Sequence, residues 1–230
     1  MQKSGDTMNI KYLYGKKIHL EPLIKGETGP RFSDISHYSR LENEMMRDME
    51  TRKSFSFDRF TTRLEINGYV LNPKDMVNDP IYSLSVQHCY CLCLSNKKNS
   101  DELFEKFEAD ICIEIDVDKL LEVLNFVFSN KLTDMRIRAE EITYYDPSLP
   151  PETDDNESLV FYKPMLFQHE AEYRIALFYP NEKTGFKTVD GQTIPFSMEN
   201  ESLHLTLSHP ETNFFKRFII GSYEKKTSNA

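Results

Sequence analysis

The sequence predicts a single-domain α+β fold, with mixed, mostly antiparallel sheets and a few short helices. Several short segments alternate apolar and polar residues, which is the pattern of strands, and turn pairs such as Asn72-Pro73 and Asp190-Gly191 separate them. Other segments carry apolar residues at helical spacing. Because 230 residues can bury one large core, we expect one domain.

Composition and charge narrow the classes of function. The chain has 39% hydrophobic and 28% charged residues, which is ordinary for a globular protein. Its net charge of −9 repels phosphate backbones and disfavours broad nucleic-acid binding. No apolar run approaches the length of about 18 residues that a membrane span needs, and the polar N-terminus lacks a secretory pattern. We therefore expect no membrane contact and a cytoplasmic location.

The N-terminal part, residues 1–68, is predicted to be mainly helical and to pack on a sheet core formed by residues 69–223. Its first 30 residues contain glycines and prolines that favour short strands and turns. An amphipathic helix is then expected from Leu41 to Met49, because Met45 and Met46 continue its apolar stripe. A second helix is expected over residues 57–64.

The sheet core is predicted from a change to strand periodicity. Strands are expected at residues 69–71, 89–94, 111–116, 135–145, 169–179 and 214–220, with one or two hairpins at residues 187–207. Short helices are expected after Asn99 and within residues 159–168. Asp116 should cap a longer helix, whose inner stripe is Leu120, Leu121, Leu124, Val127 and Phe128.

Three of the four cysteines, Cys89, Cys91 and Cys93, alternate along one predicted strand. Alternation directs all three thiols to one face, where neighbouring positions are poorly placed for a disulfide. Zinc sites need two ligand pairs brought together by a turn, which this spacing does not supply. Core packing is therefore the favoured interpretation, with metal or redox chemistry left as the alternative.

A second strand, residues 169–179, carries the candidate functional groups. Ala171, Tyr173, Ile175 and Leu177 share the face that should enter the core. Glu170, Glu172 and Arg174 share the other face. They could form a solvent-exposed surface with a weak ion pair. Alternatively, they line a cleft in which the paired carboxylates raise one pKa while Arg174 orients the other.

Several short patterns follow one another along the last two-thirds of the chain. They are Asn78-Asp79-Pro80, Cys93-Leu94-Ser95, Ile113-Glu114-Ile115-Asp116, Tyr144-Tyr145, Lys163, the Glu170–Arg174 strand and Ile219-Ile220-Gly221. In this order they resemble a widespread, largely uncharacterised bacterial and phage family. The chain departs from that family in its short helix, where Phe104 and Phe107 replace the usual Trp or Tyr.

The Glu-x-Glu strand is also similar to the catalytic strand of mono-ADP-ribosyltransferases. This resemblance implies that NAD is the substrate and that Glu172 and Glu170 are catalytic. Glu172 would bind the nicotinamide ribose and stabilise the oxocarbenium ion, while Glu170 would position or deprotonate the acceptor. The cofactor-binding residues it implies are Arg174, Ser95, Tyr38, Arg40 and His37. A toxin or phage-conflict effector would be the biological setting.

Two alternatives stay open at this point. A metal-dependent nuclease would use Asp79, Glu114, Glu170 or Glu172 as ligands, together with a lysine such as Lys163. A non-enzymatic recognition module would leave Glu170 and Glu172 open to solvent. Burial of the Glu172 carboxylate separates the module from both enzymes. For the favoured enzyme, the expected partners are a small-molecule nucleotide and a macromolecular acceptor.

Overall fold

The computed structural model describes residues 8–40, 49–131, 134–180, 182–211 and 213–226. These residues form an α+β fold of mostly antiparallel sheets, as the sequence predicts. The elements, in chain order, are β1 (Ile10–Gly15), α1 (Lys17–Lys25), β2 (Arg31–Asp34), β3 (Arg52–Ser56), β4 (Glu65–Ile66), β5 (Tyr69–Val70), β6 (Ile81–Ser85), β7 (Tyr90–Ser95), α2 (Asp101–Lys106), β8 (Ile111–Asp116), α3 (Val117–Lys131), β9 (Arg136–Glu141), β10 (Thr143–Tyr145), β11 (Tyr162–Pro164), β12 (Glu172–Phe178), β13 (Gly185–Lys187), β14 (Thr193–Pro195), β15 (His204–Thr206) and β16 (Ile219–Glu224).

Within the described part of the chain, the main sheet has eight antiparallel strands and divides at β7. One edge of β7 pairs along its whole length with β12, which in turn pairs with β9. The other edge is shared between two strands: β2 pairs with Tyr90 and Cys91, whereas β1 pairs with Ser95. Strand β1 continues to β8 and β16, and β2 continues to β15. A gap therefore opens opposite residues 92–94, between β1 and β2.

The two faces of the sheet are covered differently. One face packs against α3 and against the 3₁₀ segment Phe214–Phe218, and it holds the largest apolar core. The other face carries two smaller apolar clusters, one around Cys89 and Cys91 and one around Cys112. All four cysteines are free thiols, and Cys89, Cys91 and Cys93 pack into one apolar cluster as predicted. Within the described residues, no helix has the length and apolar character needed to cross a membrane.

The N-terminal part differs from the predicted helical unit. Residues 8–68 supply β1 and β2 to the main sheet, and β1 lies between β7 and β8. The physical reason is the sequence of β1 itself, because Leu13 faces the large core while Tyr12 and Tyr14 face the cluster around Cys112. With apolar groups on both faces, β1 is suited to the inside of a sheet.

Neither predicted N-terminal helix is found among the described residues. The methionine-rich helix from Leu41 lies outside them, apart from Met49. The predicted helix at residues 57–64 is wrong, because this segment forms turns and irregular backbone. The Asp58 carboxylate accepts hydrogen bonds from the backbone N–H groups of Phe60 and Thr61, and the Arg59 guanidinium donates to carbonyls of residues 76 and 77. These contacts stabilise a turn instead of a helix.

Two C-terminal predictions also need correction. Residues 214–220 were expected to be one strand ending at Gly221, but Phe214–Phe218 is a 3₁₀ helix and β16 passes through Gly221 with a register shift. Phe214, Phe215 and Phe218 are all buried, and their spacing suits a helical turn better than a strand. Strand β8 agrees with its predicted bounds, although it is buried on both faces and not on one alone.

Candidate functional site

Six charged side chains are buried on the second face of the sheet and contact one another in series. We call them the charge chain: Lys53, Glu50, Arg174, Glu172, Lys163 and Glu170, in order of contact. Glu50 and Lys53 come from the turn before β3 and from β3, and Lys163 lies on β11. Each is at most 6% exposed. Such groups are rarely buried unless they are paired, so their alternation of sign is what permits this burial.

The structure changes the position of Glu170 but keeps its side chain at the site. Glu170 ends the 3₁₀ segment Met165–Glu170, so it is not on the predicted strand, which begins at Glu172. Ala171 between them is left-handed, with φ 45° and ψ 51°. That conformation is unfavourable for alanine and is often found near functional sites. The turn allows both carboxylates to reach the ammonium group of Lys163.

Distances within the charge chain are those of direct hydrogen-bonded ion pairs. Lys163 Nζ lies 2.6 Å from Glu170 Oε2 and 3.1 Å from Glu172 Oε2. Arg174 Nε donates to Glu172 Oε1 at 2.7 Å. The Tyr144 hydroxyl, which lies beside these groups, accepts a hydrogen bond from the Glu172 backbone N–H at 2.7 Å. Glu172 is thus fixed from three directions, while Glu170 has the single partner Lys163 for its carboxylate among the described residues.

Arg174 is the centre of the charge chain and is fully buried. Its Nη1 and Nη2 atoms bind the Glu50 carboxylate at 3.1 and 2.7 Å, and Nη1 also donates to the Val160 carbonyl at 2.6 Å. With these groups and Glu172 as partners, Arg174 does not line the cavity described below. It is therefore a residue that positions Glu172, and the geometry does not favour the predicted direct contact with a cofactor.

The two glutamates have opposite pKa shifts. Burial raises the pKa of Glu170 to about 7 against the attraction of Lys163, and the nearby charge of Glu172 adds to the increase. Burial also opposes ionisation of Glu172, but Arg174 and Lys163 lower its pKa to about 2. One carboxyl group can thus exchange a proton near neutral pH while its neighbour stays ionised. Such a division of roles is typical of acid–base sites.

A small cavity of about 80 Å³ gives access to both glutamates. Lys163, Ser95, Tyr38 and Cys93 also line it, together with Leu94 and the aromatic rings of residues 12, 14 and 107. Four of the predicted site residues, namely Glu170, Glu172, Ser95 and Tyr38, therefore line one cavity. Since Glu172 is only 4% exposed, it is not part of an open, solvated sheet face.

The other groups at the cavity have defined roles. The Ser95 hydroxyl donates to the Glu170 carbonyl at 2.6 Å and accepts from the Lys97 N–H at 3.0 Å, so it fixes the turn that carries Glu170. The Tyr38 hydroxyl lies 2.9 Å from the Cys93 sulfur. Burial raises the pKa of both Tyr38 and Cys93 well above their ordinary values, so both are neutral at pH 7. Cys93 is consequently a poor thiolate nucleophile.

A wider groove of about 420 Å³ adjoins the cavity and lies along the gap between β1 and β2. Tyr14, Tyr38, Cys93 and Phe107 line both spaces, which makes the two continuous. The predicted residue His37 lines the groove, where its ring contacts those of Tyr38 and His204. The groove volume falls within the range of about 300–1,000 Å³ that is usual for small-molecule sites.

Arg40 is the predicted residue that the structure places apart. Its guanidinium donates to the backbone carbonyls of residues 198, 199 and 201 at 2.9, 3.0 and 3.0 Å. It lines neither the cavity nor the groove. Arg40 therefore fastens the segment before β15 to the 3₁₀ segment Ile35–Arg40, and the geometry does not favour a phosphate contact.

Sequence reasoning missed Glu50 and Lys53 as members of the site. Their side chains contact at 2.7 Å, and Lys53 lies on β3, where it alternates inward with Phe55. The alternation of Lys53 with Phe55 could have indicated that Lys53 points inward. A lysine in a strand is, however, normally taken to mark an exposed face. Lys163 and Tyr144 were noted only as parts of the family pattern or of the nuclease alternative.

Of the four carboxylates named for a metal site, Asp79 and Glu114 lie apart from the glutamate pair. Asp79 accepts from the Arg59 N–H at 3.2 Å, and Glu114 pairs with Lys98 and Tyr223. Glu170 and Glu172 do converge, but the ammonium of Lys163 lies between them. In the described part of the chain, no group of three or more His, Cys, Asp or Glu side chains is placed to bind a metal ion.

Comparison with known proteins adds no relative to this picture. No protein-family model matches the chain, and neither the curated proteins nor the solved structures give a match.

Proposed function

We propose that the protein is an enzyme of the ADP-ribosyl-transfer type, with NAD as the donor and Glu170 and Glu172 as its catalytic residues. The observation that carries this proposal is the pair of carboxyl groups that share Lys163 at one cavity while their pKa values lie near 7 and near 2. Two glutamates that were exposed, or that had the same pKa, would not provide one group that exchanges a proton beside one that stays ionised.

The ionised carboxylate of Glu172 suits the cationic stage of this reaction. When the bond between nicotinamide and C1′ of the ribose breaks, its electron pair leaves with nicotinamide and positive charge develops on the sugar. A carboxylate that is already fixed by Arg174, Lys163 and the backbone contact to Tyr144 needs no reorganisation to face that charge. Each of its oxygens keeps a free lone pair for the ribose hydroxyls.

Glu170 fits the role of general base. The acceptor forms a new bond to C1′ and must lose a proton, which passes to the Glu170 carboxylate. A base works best when its pKa lies near the working pH, and the value of about 7 meets this condition. Removing such a group typically reduces the rate by about 10²- to 10⁴-fold.

The test is incubation with NAD labelled in the nicotinamide ring and, separately, in the adenylate phosphate. We expect release of labelled nicotinamide by the wild-type protein, about a 10²-fold or greater loss of rate in Glu170→Gln, and a comparable loss in Glu172→Gln. Glu105→Gln, which changes an exposed glutamate of α2, is the matched control and should keep the wild-type rate. Circular dichroism of each variant verifies that it is folded.

Two results would contradict the proposal. The first is a wild-type protein that neither releases nicotinamide nor transfers the adenylate label to itself or to added protein acceptors. The second is cleavage of DNA or RNA that requires Mg²⁺ or Mn²⁺ and is lost in Glu172→Gln, which would establish the nuclease alternative instead.

A further inference from the structure

The groove beside the cavity differs in charge from the protein as a whole. The chain carries a net charge of −9, yet no Asp or Glu is among the described residues that line the groove. Lys16, His19, Arg31 and His37 do line it, together with the hydroxyl-bearing residues Thr28 and Thr206. A cleft whose charged side chains are all basic favours an anionic ligand, since its low-dielectric walls strengthen the local field.

Lys16 and Arg31 are the two permanent cations of the groove, and both are exposed. In the described part of the chain, neither forms an ion pair with a carboxylate. Two nearby lysines on α1 behave differently, because Lys17 pairs with Glu224 and Lys25 pairs with Glu21 at 3.0 Å. Unpaired cations at a concave site are available for an anion, whereas paired ones are not.

The position of these two cations follows from the division of the sheet. Lys16 directly follows the end of β1, and Arg31 begins β2. These are the strands that separate along the edge of β7, so the cations lie on the two sides of the gap. Burial and the neighbouring His204 and Arg31 lower the pKa of His37, so this ring is neutral at pH 7 and can serve as a hydrogen-bonding group.

We infer that this groove binds the diphosphate of a nucleotide ligand, with Lys16 and Arg31 as its anion-binding residues. The inference rests on the proposed function, because it treats the groove and the glutamate cavity as one extended substrate site. Tyr14, Tyr38 and Phe107, which line both spaces, connect the diphosphate position to the carboxylates. A ligand held in this way places its sugar toward Glu170 and Glu172.

The test is calorimetric titration with ADP-ribose, inorganic pyrophosphate and adenosine as probes. The double variant K16A/R31A should weaken ADP-ribose binding by about 10²-fold or more, as expected for the loss of two charged hydrogen bonds. The matched control K17A/K25A removes the same charge from the same region but leaves the groove lining unchanged, so its affinity for ADP-ribose should stay within twofold of the wild-type value.

The wild-type protein provides two further comparisons. Its binding of ADP-ribose should weaken as NaCl is raised, and adenosine should bind far more weakly than ADP-ribose.

Equal affinity of the two double variants for ADP-ribose, or equal affinity of the wild type for adenosine and ADP-ribose, would overturn the inference. So would undetectable binding of ADP-ribose, or tighter binding of single-stranded RNA that K16A/R31A abolishes, because RNA would then be the occupant. Binding of pyrophosphate alone with the same affinity as ADP-ribose would overturn the nucleotide part. Binding that follows the predicted pattern without release of nicotinamide from NAD would refute the proposed function alone.

Discussion

Arg174 shares its guanidinium between two carboxylates, one on its own strand and one 124 residues earlier in the chain. The planar fork matches the Glu50 carboxylate with two parallel bonds, while Nε remains free for Glu172. A lysine has the same charge but cannot reproduce three directed contacts. Each partner is at most 4% exposed, so removal of the guanidinium would leave two buried negative charges without their main cation.

We therefore predict that Arg174→Met lowers the free energy of unfolding by about 3–5 kcal/mol, the usual cost of breaking a buried ion pair. Arg174→Lys should be intermediate, because it restores charge without the fork. Urea unfolding followed by circular dichroism measures both. The control is Arg63→Met, which breaks the exposed pair with Glu65 and should cost at most about 1 kcal/mol. An Arg174→Met protein no less stable than this control would show that the charge chain is energetically neutral.

Helix α3 illustrates how local sequence determines an element. The Asp116 carboxylate accepts from the Lys119 backbone N–H at 3.1 Å and pairs with the Lys119 ammonium at 3.0 Å. This is the cap predicted from the sequence, and the buried stripe of the helix, including Leu120 and Leu124, also matches. Because the cap and the stripe are both signals within a few residues, they can be recognised without tertiary information.

We expect Asp116→Ala to destabilise the protein by about 1 kcal/mol, the typical value of a lost N-cap. Asp116→Asn should retain most of this contribution, since asparagine caps helices about as well. Asp118→Ala, at an exposed position in the same turn, is the comparison and should change stability by no more than about 0.5 kcal/mol. Thermal and urea unfolding give the differences. Equal losses at positions 116 and 118 would contradict the assigned cap.

Other elements could not be predicted, because their causes are not local. Strands β7, β8 and β12 were predicted from alternation, but Glu170 was assigned to the strand because nothing in the sequence marks Ala171 as left-handed. The partner of Arg174 was missed for a similar reason, since Glu50 is 124 residues away and lies beside an ordinary charged segment. The two carboxylates at the cavity could thus be predicted from the sequence. The cations that pair with them, and the burial of the whole group, depend on tertiary packing and could not.

At the scale of the whole molecule, the charge chain couples the fold to pH. It contains three acids and three bases, and Glu170 is the only acid of the three whose pKa is raised, to about 7 from the ordinary 4.5. Between pH 4.5 and about pH 7, Glu170 is mainly protonated in the folded protein and mainly ionised in the unfolded chain. Stability from this group therefore falls as pH rises through that window, the opposite of the usual behaviour of carboxyl groups.

The corresponding prediction concerns the free energy of unfolding of wild type and Glu170→Gln between pH 4.5 and 8. The wild type should lose stability relative to the variant as pH rises, by up to about 3 kcal/mol, and the difference should level off above pH 7. Glu172 does not contribute in this range, because its lowered pKa affects stability only below about pH 4.5. Urea titrations at each pH measure the curves, and Glu105→Gln is the control. Parallel curves for wild type and Glu170→Gln would contradict the raised pKa.

The distance along the chain between Glu50 and Arg174 has a consequence for biosynthesis. As the ribosome extends the protein, Glu50 and Lys53 are made long before the cation that completes their site, so the nascent chain must keep these groups hydrated until β12 emerges. Closure of so long a loop is slow compared with local folding. The cavity therefore takes shape late, and an incomplete chain that lacks β12 is without Glu172 and Arg174.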